Sequence, residues 1–315
     1  MGNVSGEILS GKELLEMNLP ERKCVWGDFL KTKDKMGIIA KEKKCKSFLA
    51  MQLGISISNG CDSFGYRTEG GNVLYLNFEV SKEKLKERLE DIQDETKMDL
   101  SGFYSITIPG GLELDKEMGR IKLGDILREC LTKGIMVSVV IIDPRRQAMA
   151  GDENQSEVLN RWCQNIDKLQ NEFGFALIVV HHEGKGTTGA GRGSSVFDAW
   201  LTTILKITSS GFNLVGRDFE QTEIPAKFDY PLWRVSEDEI INRKSTVDKA
   251  KKMILDYLSQ RNEVLQVELR RYLGKQRISK YAYQESIREL QNQGRVELNE
   301  AKSVPGHHKK ICFIE

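Results

Sequence analysis

Short apolar runs alternate with amphipathic stretches between residues 35 and 210, and this alternation limits the possible fold more than any other feature of the chain. Runs rich in β-branched and aromatic residues predict strands at 36–40, 73–79, 103–109, 137–143 and 176–182. Amphipathic segments predict helices at 47–58, 82–93, 123–133 and 156–173. The runs at 137 and 176 are apolar on both faces, as strands inside a parallel sheet are. The pattern predicts an α/β fold in which helices flank a mainly parallel sheet.

After residue 200 the pattern changes to shorter strand-like segments at 201–208, 212–219 and 231–235, separated by Gly, Ser and Pro. These segments predict antiparallel strands added at an edge of the sheet. The polar run SEDEIINRKST at 236–246 is interpreted as a linker. We therefore expect an N-terminal segment over 1–22, a large domain over 23–242 and a small domain over 243–315.

The small domain has three helical segments followed by two strand-like pieces, which is the order of a winged helix. The helices are predicted at 247–260, 264–273 and 279–294, and the strands at 295–300 and 309–315. The third helix is the expected DNA reader, with Lys280 near its start as a candidate DNA contact. The alternative is a protein-docking or oligomerisation module, because the same order of elements serves both uses.

Charge and cysteine usage narrow the class of protein. The 47 basic and 46 acidic side chains leave a net charge of +1, so any attraction to DNA must be local. Lys and Arg are more frequent in roughly the last 70 residues, which fits a DNA-facing surface or an ordinary solvated helix face. The six cysteines form no C-x-x-C pair, which argues against a zinc site and for reduced thiols. The chain has neither a membrane span nor a secretory signal by pattern, so we expect a cytoplasmic protein.

The stretch AKEKKCKS at 40–47 partly matches the phosphate-binding loop pattern of Gly, four residues, Gly, Lys and Ser or Thr. Ala40 and Cys45 replace the two glycines, whereas Lys46 and Ser47 are kept. The loss of glycine weakens the match, since glycine lets the backbone take positive φ beside a phosphate. The alternative is a surface run of lysines. On the first interpretation, the residues predicted to bind the nucleotide are Lys43, Lys44, Cys45, Lys46, Ser47 and Phe48.

Acidic and histidine side chains stand at the ends of three predicted strands. Asp143 ends one apolar run, where a carboxylate can bind magnesium at the carboxyl edge of an α/β sheet, although capping a turn would explain it too. Glu79 ends another run and can activate a water molecule, or can be an exposed strand-end residue. His181 and His182 end a third run, where a side chain can sense the γ-phosphate. A zinc site there lacks an evident third ligand.

A glycine-rich loop, EGKGTTGAGRGSS, follows the two histidines. It carries Lys185 and Arg192, which we interpret as candidate contacts to the phosphates of single-stranded DNA.

Taken together, four blocks of the sequence resemble the RecA-like ATPases, and specifically the RepA-type hexameric replicative helicases of plasmids and mobile elements. The blocks lie at 44–60, 73–89, 139–154 and 179–200, in the order of that family. The resemblance covers residues from about 15 to 240 and implies ATP and Mg²⁺ as cofactors, DNA as the partner, and a homo-oligomer, expected to be a hexamer.

The resemblance also implies a role for each matching residue. Lys46 corresponds to the phosphate-binding lysine, Ser47 to the magnesium-binding hydroxyl and Asp143 to the second magnesium-binding residue. Glu79 corresponds to the catalytic glutamate, His182 to the γ-phosphate sensor, and Arg88 to an arginine near the nucleotide. Two departures stand out: Ala40 replaces the first glycine, and the arginine that a neighbouring subunit inserts has no clear counterpart. Arg192 and Lys206 are candidates for that arginine.

Two functions follow as expectations. The first is an ATP-dependent RecA-like ATPase acting on DNA as a replicative helicase or a DNA-stimulated motor or switch. The second is a nucleotide-binding regulatory or recruitment protein with weak hydrolysis, which binds DNA or a partner through its winged helix.

Overall fold

The computed structural model describes residues 7–19, 22–182, 192–261, 263–300 and 309–314. The chain divides into two compact units, one of Arg22–Glu239 and one of Met1–Glu21 together with Ile240–Glu315. A short helix, α1 (Gly11–Glu16), begins at Ser10, where the side chains of Ser10 and Glu13 cap each other's backbone N–H groups. Among the described residues, no helix combines the length and the apolar character that crossing a membrane requires.

The large unit is built on a nine-stranded sheet. Its first six strands in chain order are β3 (Lys35–Ala40), β4 (Asn72–Asn77), β5 (Phe103–Thr107), β6 (Val137–Asp143), β7 (Ala176–His182) and β8 (Thr203–Ile207). The remaining three are β9 (Gly211–Gly216), β10 (Thr222–Asp229) and β11 (Leu232–Val235). A separate two-stranded ribbon, β1 (Cys24–Trp26) and β2 (Leu30–Lys31), precedes them.

The strand order is β11-β10-β9-β8-β3-β7-β6-β4-β5. Strands β8, β3, β7, β6, β4 and β5 pair in parallel, and β9, β10 and β11 extend the sheet in antiparallel fashion beyond β8. Parallel strands place all their carboxyl ends at one edge. The ends of β3, β7, β6 and β4 are therefore neighbours at that edge.

Helices cover both faces of the sheet. They are α2 (Lys46–Asn59), α3 (Lys82–Thr96), α4 (Glu117–Thr132), α5 (Ser156–Phe173) and α6 (Arg192–Trp200). Leu76 and Ile142 point to the face where Trp162 of α5 is buried. Their chain neighbours point the other way, as strand geometry requires. On that second face α2 lies so close that a Cβ at Gly54 would stand 2.8 Å from Ile141 Cδ1. The predicted α/β fold, with helices flanking a mainly parallel sheet, is confirmed.

The second unit contains most of α7 (Glu237–Ser259), followed by β12 (Glu263–Leu265), α8 (Gln266–Lys275), α9 (Lys280–Asn292), β13 (Val296–Glu300) and β14 (Lys309–Phe313). The three strands form an antiparallel sheet in the order β12-β14-β13. Its own core includes Ile254, Leu258, Leu269 and Leu273. The winged-helix assignment and the domain boundaries stay predictions.

Several predicted elements are wrong in detail. The predicted linker at 236–246 lies largely inside α7, because it contains good helix formers and neither Gly nor Pro. The segment at 201–208 forms β8, which is parallel to β3 and not antiparallel. The start of the predicted helix at 264–273 is strand β12, where Val264 pairs with Ile311. Strand β4 ends at Asn77, so Glu79 lies two residues beyond it.

Candidate functional site

The loop between β3 and α2 has the left-handed backbone that glycine usually supplies. Lys43 has φ of 58°, and Cys45, the residue before α2, has φ of 53° and ψ of 32°. Ala40 lies inside β3, buried and in register with His182 of β7. The left-handed positions of this loop are therefore 43 and 45. Ala40, which stands where the loop pattern has its first glycine, is an ordinary strand residue.

Cys45→Gly is expected to stabilise the protein by about 0.5–1 kcal/mol, since a side chain in left-handed backbone costs roughly 1–2 kcal/mol and the freer unfolded chain offsets part of that gain. The midpoint of urea unfolding measures the change. Cys61→Gly is the matched control, because Cys61 is exposed and is not in the left-handed region. Equal destabilisation by both substitutions would contradict the account.

Lys46 opens α2 with its ammonium group turned back into the loop. Nζ donates to the carbonyl oxygens of Ala40 at 3.1 Å and Lys41 at 2.8 Å, and to Nδ1 of His182 at 3.1 Å. Because an ammonium group only donates, the imidazole accepts at Nδ1 and holds its proton at Nε2. Burial lowers the pKa of Lys46, and the nearby carboxylates of Asp143 and Glu79 oppose that effect. The result is a poorly hydrated cation beside the carboxyl end of β7.

Asp143 is 3% exposed at the end of β6. The hydroxyl of Tyr75, from β4, donates a hydrogen bond to Oδ2 of Asp143. The Ser47 hydroxyl faces the same carboxyl group, but Oδ1 has no hydrogen-bond partner within the described residues. Burial raises the pKa of Asp143, and the Tyr75 and Ser47 hydroxyls oppose the rise. Sequence reasoning missed Tyr75, whose own pKa is raised well above its usual value by burial first and by Asp143 second.

These residues fit a magnesium ion. A buried carboxylate oxygen without a partner, next to a serine hydroxyl, is the kind of oxygen ligand that Mg²⁺ takes together with substrate phosphates. In the part of the chain that the structure describes, no three His, Cys, Asp or Glu side chains stand together as a metal site.

Glu79 follows β4 in a turn that Asn77 organises. The Asn77 amide donates to Val80 O at 2.6 Å and to Thr107 Oγ1 at 2.9 Å, and its oxygen accepts from Val80 N–H at 3.2 Å. The exposed Glu79 carboxylate is close enough to influence the pKa of both Lys46 and Asp143. Asn77 is thus a positioning residue that the sequence did not reveal, although it directly precedes the Phe-Glu pair.

Arg88 and Phe48 meet beside the loop. The guanidinium of Arg88, on α3, lies 5.2 Å from the ring centroid of Phe48, on α2. The charge of Arg88 also lowers the pKa of Cys45 against the larger effect of burial. The structure therefore brings Lys46, Ser47, Asp143, Glu79, His182 and Arg88 to one region of the sheet edge.

The remaining candidates lie elsewhere. Lys185 lies outside the described residues, and so does the side chain of Arg192, where α6 begins. Lys206 is exposed on β8, and Lys280 is the first residue of α9 in the other unit. The predicted roles of these four residues stay predictions.

On the opposite side of β7, His181 contacts a buried arginine that the sequence analysis did not single out. Arg145 is 1% exposed, and its Nη2 lies 3.2 Å from Glu153 Oε2 and 3.3 Å from His181 Nε2. Its guanidinium also lies 4.1 Å from the ring centroid of Phe197. The signal available was the position of Arg145, two residues after Asp143, together with the acidic run that contains Glu153.

Acid is expected to destabilise the protein partly through His181. Burial, and then the charge of Arg145, lower the pKa of His181 from 6.5 to about 3. Below pH 6.5 the unfolded chain binds a proton that the folded chain does not bind until about pH 3, so the free energy of unfolding falls as pH drops. The slope from one such group is at most about 1.4 kcal/mol per pH unit.

Urea unfolding at pH 7 and pH 5 checks this expectation in the parent and in His181→Asn, which cannot titrate. The variant should lose less stability between the two pH values. An equal loss in both proteins would contradict the assignment.

Strand β11 is hydrogen-bonded to the loop that precedes α2 and to α2 itself. Trp233 Nε1 donates to the carbonyl oxygen of Cys45 at 3.2 Å. The side chain of Gln52, on α2, accepts from Trp233 N–H at 2.9 Å and donates to Trp233 O at 3.0 Å. Three hydrogen bonds therefore tie β11 to the loop and to the first half of α2.

A family model described as an AAA domain matches residues 10–188 of the chain, which is more than half of its length. The matched range contains the loop before α2 and the ends of β4, β6 and β7. Strands β8 to β11 and the elements from α7 onward lie beyond the match. A comparison with curated proteins found no match.

Proposed function

The chain belongs to the AAA domain family and is a P-loop ATPase in that broad sense, and from this premise we propose that it hydrolyses ATP to drive a motor or switch on DNA. The observation that carries the proposal is the meeting of Lys46, at the start of α2, with Asp143, Glu79 and His182, which lie at or just beyond the ends of β6, β4 and β7. That meeting supplies a phosphate-binding cation, an unpartnered carboxylate oxygen and a second carboxylate in one place.

Each residue has a distinct role in the proposed reaction. Lys46 neutralises phosphate oxygens while the backbone N–H groups at the start of α2 donate to them. Ser47 and Asp143 Oδ1 would hold Mg²⁺, which would supply positive charge to neutralise the phosphates. Glu79 accepts a proton from the attacking water.

His182 responds to the phosphate through Lys46. Phosphate oxygens compete with the imidazole and the loop carbonyls for the Nζ hydrogens of Lys46. The hydrogen bond between Lys46 and His182 is therefore made or released as the γ-phosphate leaves or arrives. Since His182 is the last residue of β7, this change reaches the glycine-rich segment directly after it.

DNA and a second copy of the chain complete the proposal. Lys185 and Arg192 would contact single-stranded DNA, and Lys280 would contact duplex DNA. The resemblance to ring-forming helicases supports a homo-oligomer, expected to be a hexamer. Within such a ring, Arg192 or Lys206 of one subunit would serve the nucleotide of the next.

Two measurements on the full chain test this function. Single-stranded DNA should increase the steady-state rate of ATP hydrolysis, and the mass in solution with ATP and single-stranded DNA should be six times that of one chain. If the chain stays a monomer and its rate of ATP hydrolysis is the same with and without DNA, the motor function is contradicted.

The second candidate is a nucleotide-binding regulator with weak hydrolysis. Two observations favour it: the strained backbone at Cys45, and the use of Lys46 donors by the loop's own carbonyls. Tight ATP binding without turnover, combined with binding of duplex DNA by the full chain, would support this function over the motor.

A further inference from the structure

A cavity of about 600 Å³ opens beside the loop that precedes α2. One wall is the loop itself, at Lys43, Lys44 and Cys45, and the opposite wall is formed by β10, β11 and the turn between β8 and β9. Ligand-binding clefts in proteins commonly measure about 300–1,000 Å³. The cavity is therefore large enough for a nucleoside.

Aromatic rings form part of the wall opposite the loop. The rings of Phe228 and Trp233 line the cavity, with centroids 5.5 Å apart. Phe228 also packs on Phe48 at 5.6 Å, and Trp233 packs on Phe212 at 5.0 Å. These neighbours fix the two rings in place, so a flat ligand can contact them without ordering them first.

Polar groups lie around the same space. Thr208, Ser209 and Ser210 supply hydroxyl groups from the turn between β8 and β9. The loop lysines supply cations, whereas Arg234 on the strand side is already paired with Glu95 and Asp229. An apolar ring surface bordered by hydroxyls and cations suits a ligand that is flat at one end and anionic at the other.

The cavity and the phosphate loop are physically joined. The Trp233 indole that lines the cavity donates to the carbonyl of Cys45, which is the residue before Lys46. A ligand against Trp233 is thus one residue away from the N-terminus of α2. One nucleotide can span both places, with its base and ribose in the cavity and its phosphates in the loop.

We propose that this cavity is the base and ribose subsite of the nucleotide site, with Phe228 and Trp233 as the surface that contacts the base. The proposal rests on the proposed ATP binding and adds where the purine nucleoside is held. The antiparallel strands β10 and β11, which the family match does not cover, then take part in choosing the nucleotide.

Calorimetric titration of the full chain with Mg-ATP and with Mg-tripolyphosphate tests the subsite, because the second ligand has the phosphates and lacks the nucleoside. ATP should bind roughly tenfold or more tightly than tripolyphosphate, as stacking on an aromatic ring contributes about 1–3 kcal/mol per base. Phe228→Leu should weaken ATP binding about tenfold and leave tripolyphosphate binding unchanged.

Two further variants complete the test, one as a control and one that fills the cavity. Tyr230→Leu is the matched control, because Tyr230 belongs to the same aromatic group, 6.4 Å from Phe228, but is exposed and does not line the cavity. It should leave the ratio of the two affinities unchanged. Ala226→Phe fills the cavity from β10 without removing a contact, and should bring ATP affinity down to that of tripolyphosphate.

Three outcomes overturn the subsite. If the parent binds Mg-ATP and Mg-tripolyphosphate equally tightly, the subsite is ruled out while the phosphate-binding role of the loop still stands. Equal losses for both ligands in Phe228→Leu and Ala226→Phe rule out the subsite as well. If neither ligand binds the parent, the proposed function fails together with the subsite.

Discussion

Lys46→Ala is expected to lower ATP affinity about a hundredfold, because charge-assisted hydrogen bonds to phosphate contribute up to roughly 3 kcal/mol. The substitution removes the only side-chain cation described as donating into the loop from the start of α2. It also leaves the carbonyl oxygens of Ala40 and Lys41 without that donor. Calorimetric titration with Mg-ATP measures the loss, and the rate of hydrolysis should fall with it.

Lys41→Ala is the control for that result. Its side chain is exposed and its backbone carbonyl, which is what Lys46 contacts, remains in the variant. ATP affinity should change little. If Lys46→Ala binds ATP as the parent does, the loop is a surface run of lysines and the nucleotide lies elsewhere.

Glu79→Gln is expected to lower the rate of hydrolysis roughly a hundredfold to ten-thousandfold while ATP still binds, because losing a general base costs about that factor. The amide keeps the shape of the side chain but cannot accept a proton from water. Glu79 is well placed to act as this base, because it is exposed, two residues past β4, and near both Lys46 and Asp143. Single-turnover hydrolysis together with a binding titration separates the two effects.

Glu87→Gln gives the matched comparison on the next helix. Glu87 is exposed on α3 and pairs with Lys84 on the same helix. Its loss should leave hydrolysis near the parent rate. Parent-like hydrolysis in Glu79→Gln would remove Glu79 from the reaction and favour a different base.

The parallel core of the sheet could be predicted because its signal is local. Strands such as Val137–Asp143 are apolar on both faces, and their ends fall where a polar residue follows. Since parallel strands end at one edge, the gathering of Asp143, Glu79 and His182 follows from the strand pattern alone. The ATP-binding interpretation of Lys46 and Ser47 gained its support from those neighbours and not from the loop pattern.

The parts that the sequence did not reveal depend on contacts between distant residues. Trp233 holds the carbonyl of Cys45 across 188 positions, and Tyr75 holds Asp143 across 68. The loop pattern has glycine at position 45, but the cysteine that stands there gives no local sign that its backbone is left-handed. Likewise, the run at 236–246 looked like a linker because it is mostly polar and has no apolar periodicity of its own, although α7 already begins at Glu237.

The hydrogen bond from Tyr75 also bears on ion selectivity. The Tyr75 hydroxyl occupies one lone-pair direction of Asp143 Oδ2, whereas Oδ1 has no hydrogen-bond partner within the described residues, so coordination through Oδ1 alone is favoured over bidentate coordination. Calcium takes about six to eight oxygen ligands and accepts bidentate carboxylates, whereas magnesium is octahedral and is commonly held by one or two carboxylates together with water and phosphate. We expect the tyrosine to favour magnesium, and hydrolysis measured with Ca²⁺ in parent and Tyr75→Phe would show it by a gain in the variant.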